Sequence, residues 1–347
     1  MATEQARIRV APSYRPDTLT LLGLVFVALL FLWLGINFVK DPSEFYRLFL
    51  IGLTNGAVYG LVALGYSLVY GILELINFAH GDVFMLGGML VATLTVSWGL
   101  EAGQTWLWPL IILMLVIAMV FCAVINTTIE LIAYRPLRHA PRLAPLITAI
   151  GMSFILQNIG LAWKGVRPVS VPDILPHGTV FTIGGVAYTW NKFIVILFTI
   201  PVLLLLVWLV QRTKQGKAMR ATAQDRDAAA MMGISVNRTI SFTFFIAGSL
   251  AGAAGLLYAL YITNIRYTEG FRVGLIAFTA AVLGGIGNLP GAVLGGLVIG
   301  FVQAFNEGLG WHAPGSDWTQ SIVFSILILI LVFRPEGLLG ERTPEGG

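Results

Sequence analysis

Few groups in this sequence could do covalent or metal chemistry, and their spacing assembles no reactive set. The four histidines, His80, His139, His177 and His312, fall in separate loops without the spacing that lets ring nitrogens share a metal, so no metal site is expected. The single cysteine, Cys122, lies inside the apolar run 107–133, which rules out an intramolecular disulfide and a thiolate metal site. None of the five lysines stands in a G-x-x-x-x-G-K-[ST] phosphate loop, because Gly216-Lys217 is followed by Ala218. No Ser/His/Asp or paired-carboxylate set can be assembled either, so the chain is not expected to be an enzyme, and any ATP hydrolysis that serves it belongs to another subunit. The polar residues that do gather are suited to non-covalent recognition. Glu74, Asn77, His80, Gly81 and Asp82 follow the apolar stretch through Tyr66 and Ile72, and Gly284, Gly285, Gly287, Asn288, Pro290 and Gly291 interrupt a second one. Both read as broken helices, whose free ends offer N–H and C=O groups to a passing solute.

The elements that must position these breaks are membrane spans. With 57% hydrophobic and 11% charged residues and a mean hydropathy of +0.85, the chain carries more apolar surface than a water-soluble fold of 347 residues can hide. Apolar runs predict helices over 19–38, 48–72, 83–100, 107–133, 145–163, 193–210 and 240–262, and shorter ones over 274–288, 291–305 and 321–333. A 15-residue run reaches only about 22 Å against a hydrocarbon core of about 30 Å, so the pair flanking Asn288 to Gly291 is expected to be two short tilted helices or a re-entrant hairpin. The fold class expected is all-α, a polytopic transmembrane helical bundle of about 8–10 membrane segments including short or broken helices. The run 19–38 follows Arg7, Arg9 and Arg15 but lacks a small-x-small site after Gly35, so it reads as a retained helix and not a cleaved signal.

Charge placement sets the orientation. A cytoplasmic N terminus puts Arg7, Arg9, Arg15, Arg135, Arg138, Arg142, Arg212, Lys214, Lys217, Arg220, Arg226, Arg238, Arg334 and Arg342 inside, and only Lys40, Arg47, Lys164, Arg167, Lys192, Arg266 and Arg272 outside. Both termini are therefore expected in the cytoplasm. The net charge of +4 is explained by this asymmetry and calls for no nucleic-acid partner. Carboxylates sit near span ends or in loops, with Glu130 the closest to an exception, which weakens a proton- or cation-coupled mechanism.

Glycine spacing adds a packing signal. Gly52, Gly56 and Gly60 share one helical face, as do Gly291 with Gly295 and Gly296 with Gly300. Such faces let helices cross closely in lipid, whether for packing alone or as a dimerising or pore-lining face. The largest polar segment, 211–239, carries six basic residues and an Ala-rich stretch over 216–234 that reads as a short amphipathic helix capped at Gly233. A structured helix outside the membrane implies a docking partner.

The run Gly71-Ile72-Leu73-Glu74-Leu75-Ile76-Asn77-Phe78-Ala79-His80-Gly81-Asp82 resembles the signature after the first core helix of branched-chain amino acid ABC permeases of the LivH type. So do Ala133-Tyr134-Arg135-Pro136-Leu137-Arg138, Ala149-Ile150-Gly151-Met152-Ser153 with Leu156-Gln157-Asn158, and the run from Phe278 to Gly287, in the same order over 45–340. The resemblance implies a subunit of a bacterial inner-membrane importer that moves branched-chain amino acids by ATP-driven alternating access. It implies a second related permease subunit, two cytoplasmic ABC ATPase subunits and a periplasmic or extracellular substrate-binding protein, with ATP held by the partners and no cofactor here. On this reading 211–239 is the coupling loop, with Gly216, Arg220, Ala223, Asp225 and Gly233 its contact and shape residues. Asn55, Asn77, His80, Gln157 and Asn158 are candidates for the translocation path. Residues 1–44 form an extension with one extra helix, 45–340 the permease domain and 341–347 a tail. Two alternatives stay open: a urea or short-amide ABC permease, whose sequences resemble this one, and a passive channel.

Overall fold

A computed structural model describes residues 18–340 apart from 139, 142 and 177. Arg7, Arg9, Arg15, His139, Arg142, His177, Arg342 and the tail 341–347 lie outside the described residues.

Helix α1 (Thr18–Lys40) leads into α2 (Pro42–Leu73). The start of α2 is fixed by Asp41, whose carboxylate accepts the Glu44 amide at 3.0 Å, with Pro42 placed where a helix needs no N–H. A left-handed Glu74 ends it, and the segment before α3 (Ala79–Ser97) is non-helical. The first expected break is thus present, although α3 begins four residues before the expected Val83. Helix α4 (Leu107–Ile129) runs on through a π turn (Glu130–Tyr134) and a 3-10 turn (Arg135–Leu137) before α5 (Leu143–Lys164). The β1 strand (Val169–Ser170) then pairs with β4 (Asn264–Ile265), and β2 (Thr179–Ile183) with β3 (Val186–Thr189) forms a small hairpin. Helices α6 (Trp190–Arg212), α7 (Lys214–Gln224), α8 (Arg226–Met231), α9 (Val236–Ile262), α10 (Glu269–Gly284), α11 (Leu289–Gly308) and α12 (Thr319–Phe333) complete the chain.

Among the described residues eight helical stretches are long and apolar enough to cross a membrane, so this is a polytopic helical bundle. Helix α10, at 16 residues, reaches about 24 Å, less than a hydrocarbon core of about 30 Å, and is not one of these eight. It starts where Glu269 accepts the Tyr258 hydroxyl near the end of α9, and finishes where the amides of Leu338 and Leu339 bond the carbonyls of Leu283 and Gly284. Of the two expected arrangements, two short tilted helices or a re-entrant hairpin, the pair takes the form of two separate helices, with α10 the short one. Of these α11, at 20 residues, is full length, because Leu289 and Pro290 open it and the buried Asn306, with Glu307 and Gly308, extends it past the apolar run.

Helices α2, α3 and α9 form the buried centre, while α5, α6 and α12 expose apolar side chains outward. The glycine faces sit at the closest crossings. A Cβ on Gly56 would lie 2.7 Å from the Leu297 Cα, and one on Gly52 3.0 Å from the Phe301 Cα, whereas Gly60 leaves 3.5 Å to the Val293 Cα. Gly291 and Gly295 face the other way, onto the carbonyls of Gly284 and Ala280 in α10. Helix α11 is thus sandwiched between α2 and α10 with bare backbone on both sides.

One end of the bundle gathers the end of α2, the α4–α5 connection, α7, α8 and the end of α10. It carries Arg135, Arg138, Arg220 and Arg226 and is called the basic end below. The opposite end holds both strand pairs and the contact of α1 with the α11–α12 loop, where the Trp33 indole donates to the Trp311 carbonyl at 3.0 Å.

Candidate functional site

The segment that follows α2 is held by a hydrogen-bond chain to α4, with its π turn, and to α9. The Tyr134 hydroxyl donates to Asn77 Oδ1 at 2.7 Å, Asn77 donates to Asn126 Oδ1 at 3.2 Å, and Asn126 donates to the Phe244 carbonyl at 2.7 Å. Asn77 is buried, so its amide serves this lock. His80, also buried, lies edge-on to Tyr66 with ring centroids 4.9 Å apart and directly over Gly65. Two residues further on, the buried Asp82 accepts the Ser153 hydroxyl of α5, and Gln157 donates to that same oxygen at 3.2 Å. A carboxylate, a hydroxyl and a carboxamide in line across α3 and α5 make a polar relay inside an apolar body.

The remaining path candidates do not join these groups. Asn158 points outward, its amide bonded to the Phe154 carbonyl of its own helix at 2.8 Å. Asn55 is half-buried in the middle of α2, more than four turns before Asn77. The structure therefore brings Gln157 to Asp82, sets His80 beside Tyr66, and leaves Asn55 and Asn158 apart from both.

At the basic end the segment 211–239 folds as two helices, not the single amphipathic helix expected over 216–234. Asp225 causes the break. Its extended backbone ends α7, and its carboxylate caps α8 by accepting the amides of Asp227 and Ala228, both at 2.9 Å. Gly216, Met219 and Thr222 form the buried face of α7, and Gly216 packs against the Val210 carbonyl, to which Arg220 also donates. Ala223 and Gly233 are exposed, and Gly233 turns the chain at φ +82°. Beside it Met231 and Met232 are 82% and 83% exposed, a bare apolar tip.

Arg226 ties this pair to the membrane body. Its guanidinium donates to the carbonyls of Ile72 and Leu73, at 3.1 and 3.2 Å, which are free acceptors at the end of α2. Next to it the fully buried Glu130 carboxylate gathers Arg135 at 3.2 Å, Arg138, and the Ser241 hydroxyl at 2.7 Å. Burial lowers the pKa of Arg138, and Glu130 opposes that shift.

The family model described as "Branched-chain amino acid transport system / permease component" matches residues 48–332. The high-affinity branched-chain amino acid transport system permease protein BraD of Pseudomonas aeruginosa is 40% identical over 301 residues, which cover 85% of this chain and 95% of that protein. The corresponding LivH protein of Escherichia coli K12 is 36% identical, with the same coverage. The chain belongs to this permease family. A fructose import permease protein of Rhizobium meliloti, FrcC, is also similar, at 24% identity over 81% of this chain. No solved structure matches.

In the permease, Asp82, Ser153, Glu130 and Arg226 are the residues that sequence reasoning missed as site candidates. Asp82 and Ser153 stood inside quoted motifs, and Glu130 was noted as an exceptional carboxylate, so a signal existed for three. For Arg226 there was none beyond a basic residue in a basic loop. Glu130→Ala would strand the buried Arg138 guanidinium, and we expect a loss of about 3–5 kcal/mol. Thermal unfolding of the purified permease in detergent would register it as a lower midpoint; an unchanged midpoint would show that water screens the cluster.

Proposed function

We propose that the chain is the permease subunit of an ATP-driven importer for branched-chain amino acids in a bacterial inner membrane, with both termini cytoplasmic. The basic end then faces the cytoplasm, in keeping with the distribution of Lys and Arg. The partners are a second related permease, two cytoplasmic ATPase subunits and a binding protein on the far side. The names of BraD and LivH, at 95% coverage of each protein, support the substrate class over urea, short amides or a passive channel. The similarity to FrcC indicates that this scaffold serves other solutes too, so selectivity rests largely on the binding protein.

The observation that carries the reading is the α7–α8 pair. It leaves the membrane body, offers Met231 and Met232 to solvent, and is bonded through Arg226 to the end of α2. An exposed apolar tip on a charged segment fits a groove on an ATPase, and closure of two ATPases would pull on α2 through the guanidinium. The exposed Asn158, a polar group on an outward flank, favours coverage by the second permease. The test is reconstitution in liposomes. The four-component complex with its binding protein should accumulate leucine only with ATP, and the chain alone should pass none. Flux through the isolated chain would overturn the proposal in favour of a channel.

A further inference from the structure

The basic end contains a cavity of about 430 Å³ that the transport cycle outlined above does not use. Its walls come from the end of α2, the segment after it, the α4–α5 connection, the start of α5 and the first residue of α8, and they include Tyr70, Leu73, Glu74, Arg138, Leu146 and Arg226. The size suits a small metabolite, since ligand pockets start near roughly 300 Å³.

Two cations and one carboxylate face a largely aliphatic wall. The Arg138 side chain is only 8% exposed; its terminal nitrogens bond Glu130 and Asn237, but its Nε is buried with no acceptor. Arg138, Arg135 and Arg226 outnumber the one buried carboxylate of Glu130 beside them, so the wall carries excess positive charge that favours a carboxylate in the cavity. The acceptor cannot be a plain anion of high charge, because Glu74 stands on the rim. An ammonium carried by the same molecule turns that repulsion into attraction. A compact zwitterion with an apolar side chain therefore satisfies the whole lining: carboxylate to Arg138 and Arg226, ammonium to Glu74, aliphatic group against Leu73 and Leu146.

We infer that this cavity binds a free aliphatic amino acid from the cytoplasm and that its occupancy slows import. The link to transport is Arg226, which already joins α8 to the last carbonyls of α2. A carboxylate bridging Arg226 and Arg138 would fasten the coupling pair to the α4–α5 connection as well, opposing any movement between them. The inference rests on the proposed importer reading, because it takes the basic end to face the cytoplasm.

The test uses the complete complex without binding protein or nucleotide, in nanodiscs. Radiolabelled leucine should bind saturably, and leucinamide or 4-methylpentanoate, each lacking one charge, should compete at least about tenfold less well, the worth of one charge-assisted hydrogen bond. Glu74→Gln should weaken binding similarly, and Leu146→Trp, which fills the cavity, should abolish it. Coelution of the ATPase subunits shows that each variant is assembled. In liposomes with binding protein, leucine added on the ATPase side should slow uptake by the parent complex and have no such effect on Leu146→Trp. Absence of saturable binding would overturn the inference, as would equal binding by both variants, or displacement of leucine by phosphatidylglycerol, which would make the occupant a lipid. Uptake that requires ATP, with none of this binding, would leave the importer reading standing; absence of ATP-dependent uptake would sink that reading itself.

Discussion

Gly296→Leu is expected to abolish recovery of folded protein. A Cβ at this position would lie 2.6 Å from the Gly60 Cα and 2.9 Å from the Gly56 carbonyl, so the obstacle is backbone on the facing helix and no rotamer change relieves it. Overpacking a core by a methylene costs about 1–3 kcal/mol, and leucine adds four carbons at a point where the three nearest atoms are all backbone. The seam also joins the most buried helix of the bundle to α11. Size-exclusion profiles of the solubilised variant should show loss of the monodisperse peak. Gly151→Ala supplies the contrast, since nothing lies within 4 Å of its added methyl group, and its profile should match the parent's. A normal peak for Gly296→Leu would mean that α2 and α11 do not pack as described.

Arg226→Gln is expected to leave the complex assembled and lower ATP-driven uptake by about tenfold or more, corresponding to the roughly 1.5–3 kcal/mol of a charged hydrogen bond. The two acceptors at the end of α2 would lose a guanidinium donor, and a neutral carboxamide cannot replace it. ATP hydrolysis should persist while uptake per ATP falls, which separates uncoupling from misassembly. Arg238→Gln, at an exposed position at the start of α9, controls for loss of positive charge alone and should transport normally. Equal uptake by Arg226→Gln and the parent would remove Arg226 from the coupling route.

The helices were legible because an apolar run must be paired internally in lipid and therefore coils. Their ends were less so. Hydropathy placed the start of α3 at Val83, treating Ala79 to Asp82 as too polar to cross, whereas His80 and Asp82 face protein and lie within the helix. A window sum sees how polar a residue is and not what it faces. The hairpin of β2 and β3 carried its own signal, Gly184-Gly185 at φ +57° and +81° between alternating residues, and was overlooked among stronger membrane patterns. The site was harder still. Arg226 and Ile72 are 154 positions apart, and Asp82 and Ser153 are 71 apart, so no spacing rule relates them. The segment 211–239 fell between: its position and helicity could be read from alanines and basic residues, but the helix-breaking grip of Asp225 on two amides could equally have been a charge on a helix surface.

The double-sided glycine helix α11 has a consequence for how the permease changes shape. Where main chain rests on main chain there are no rotamers to flip, so α2, α11 and α10 have a single way of fitting together and must travel as one slab. Motion that alternately opens each side of the membrane then has to occur along the slab's margins, where α6 meets α2 and α12 meets α10 through pliable aliphatic side chains.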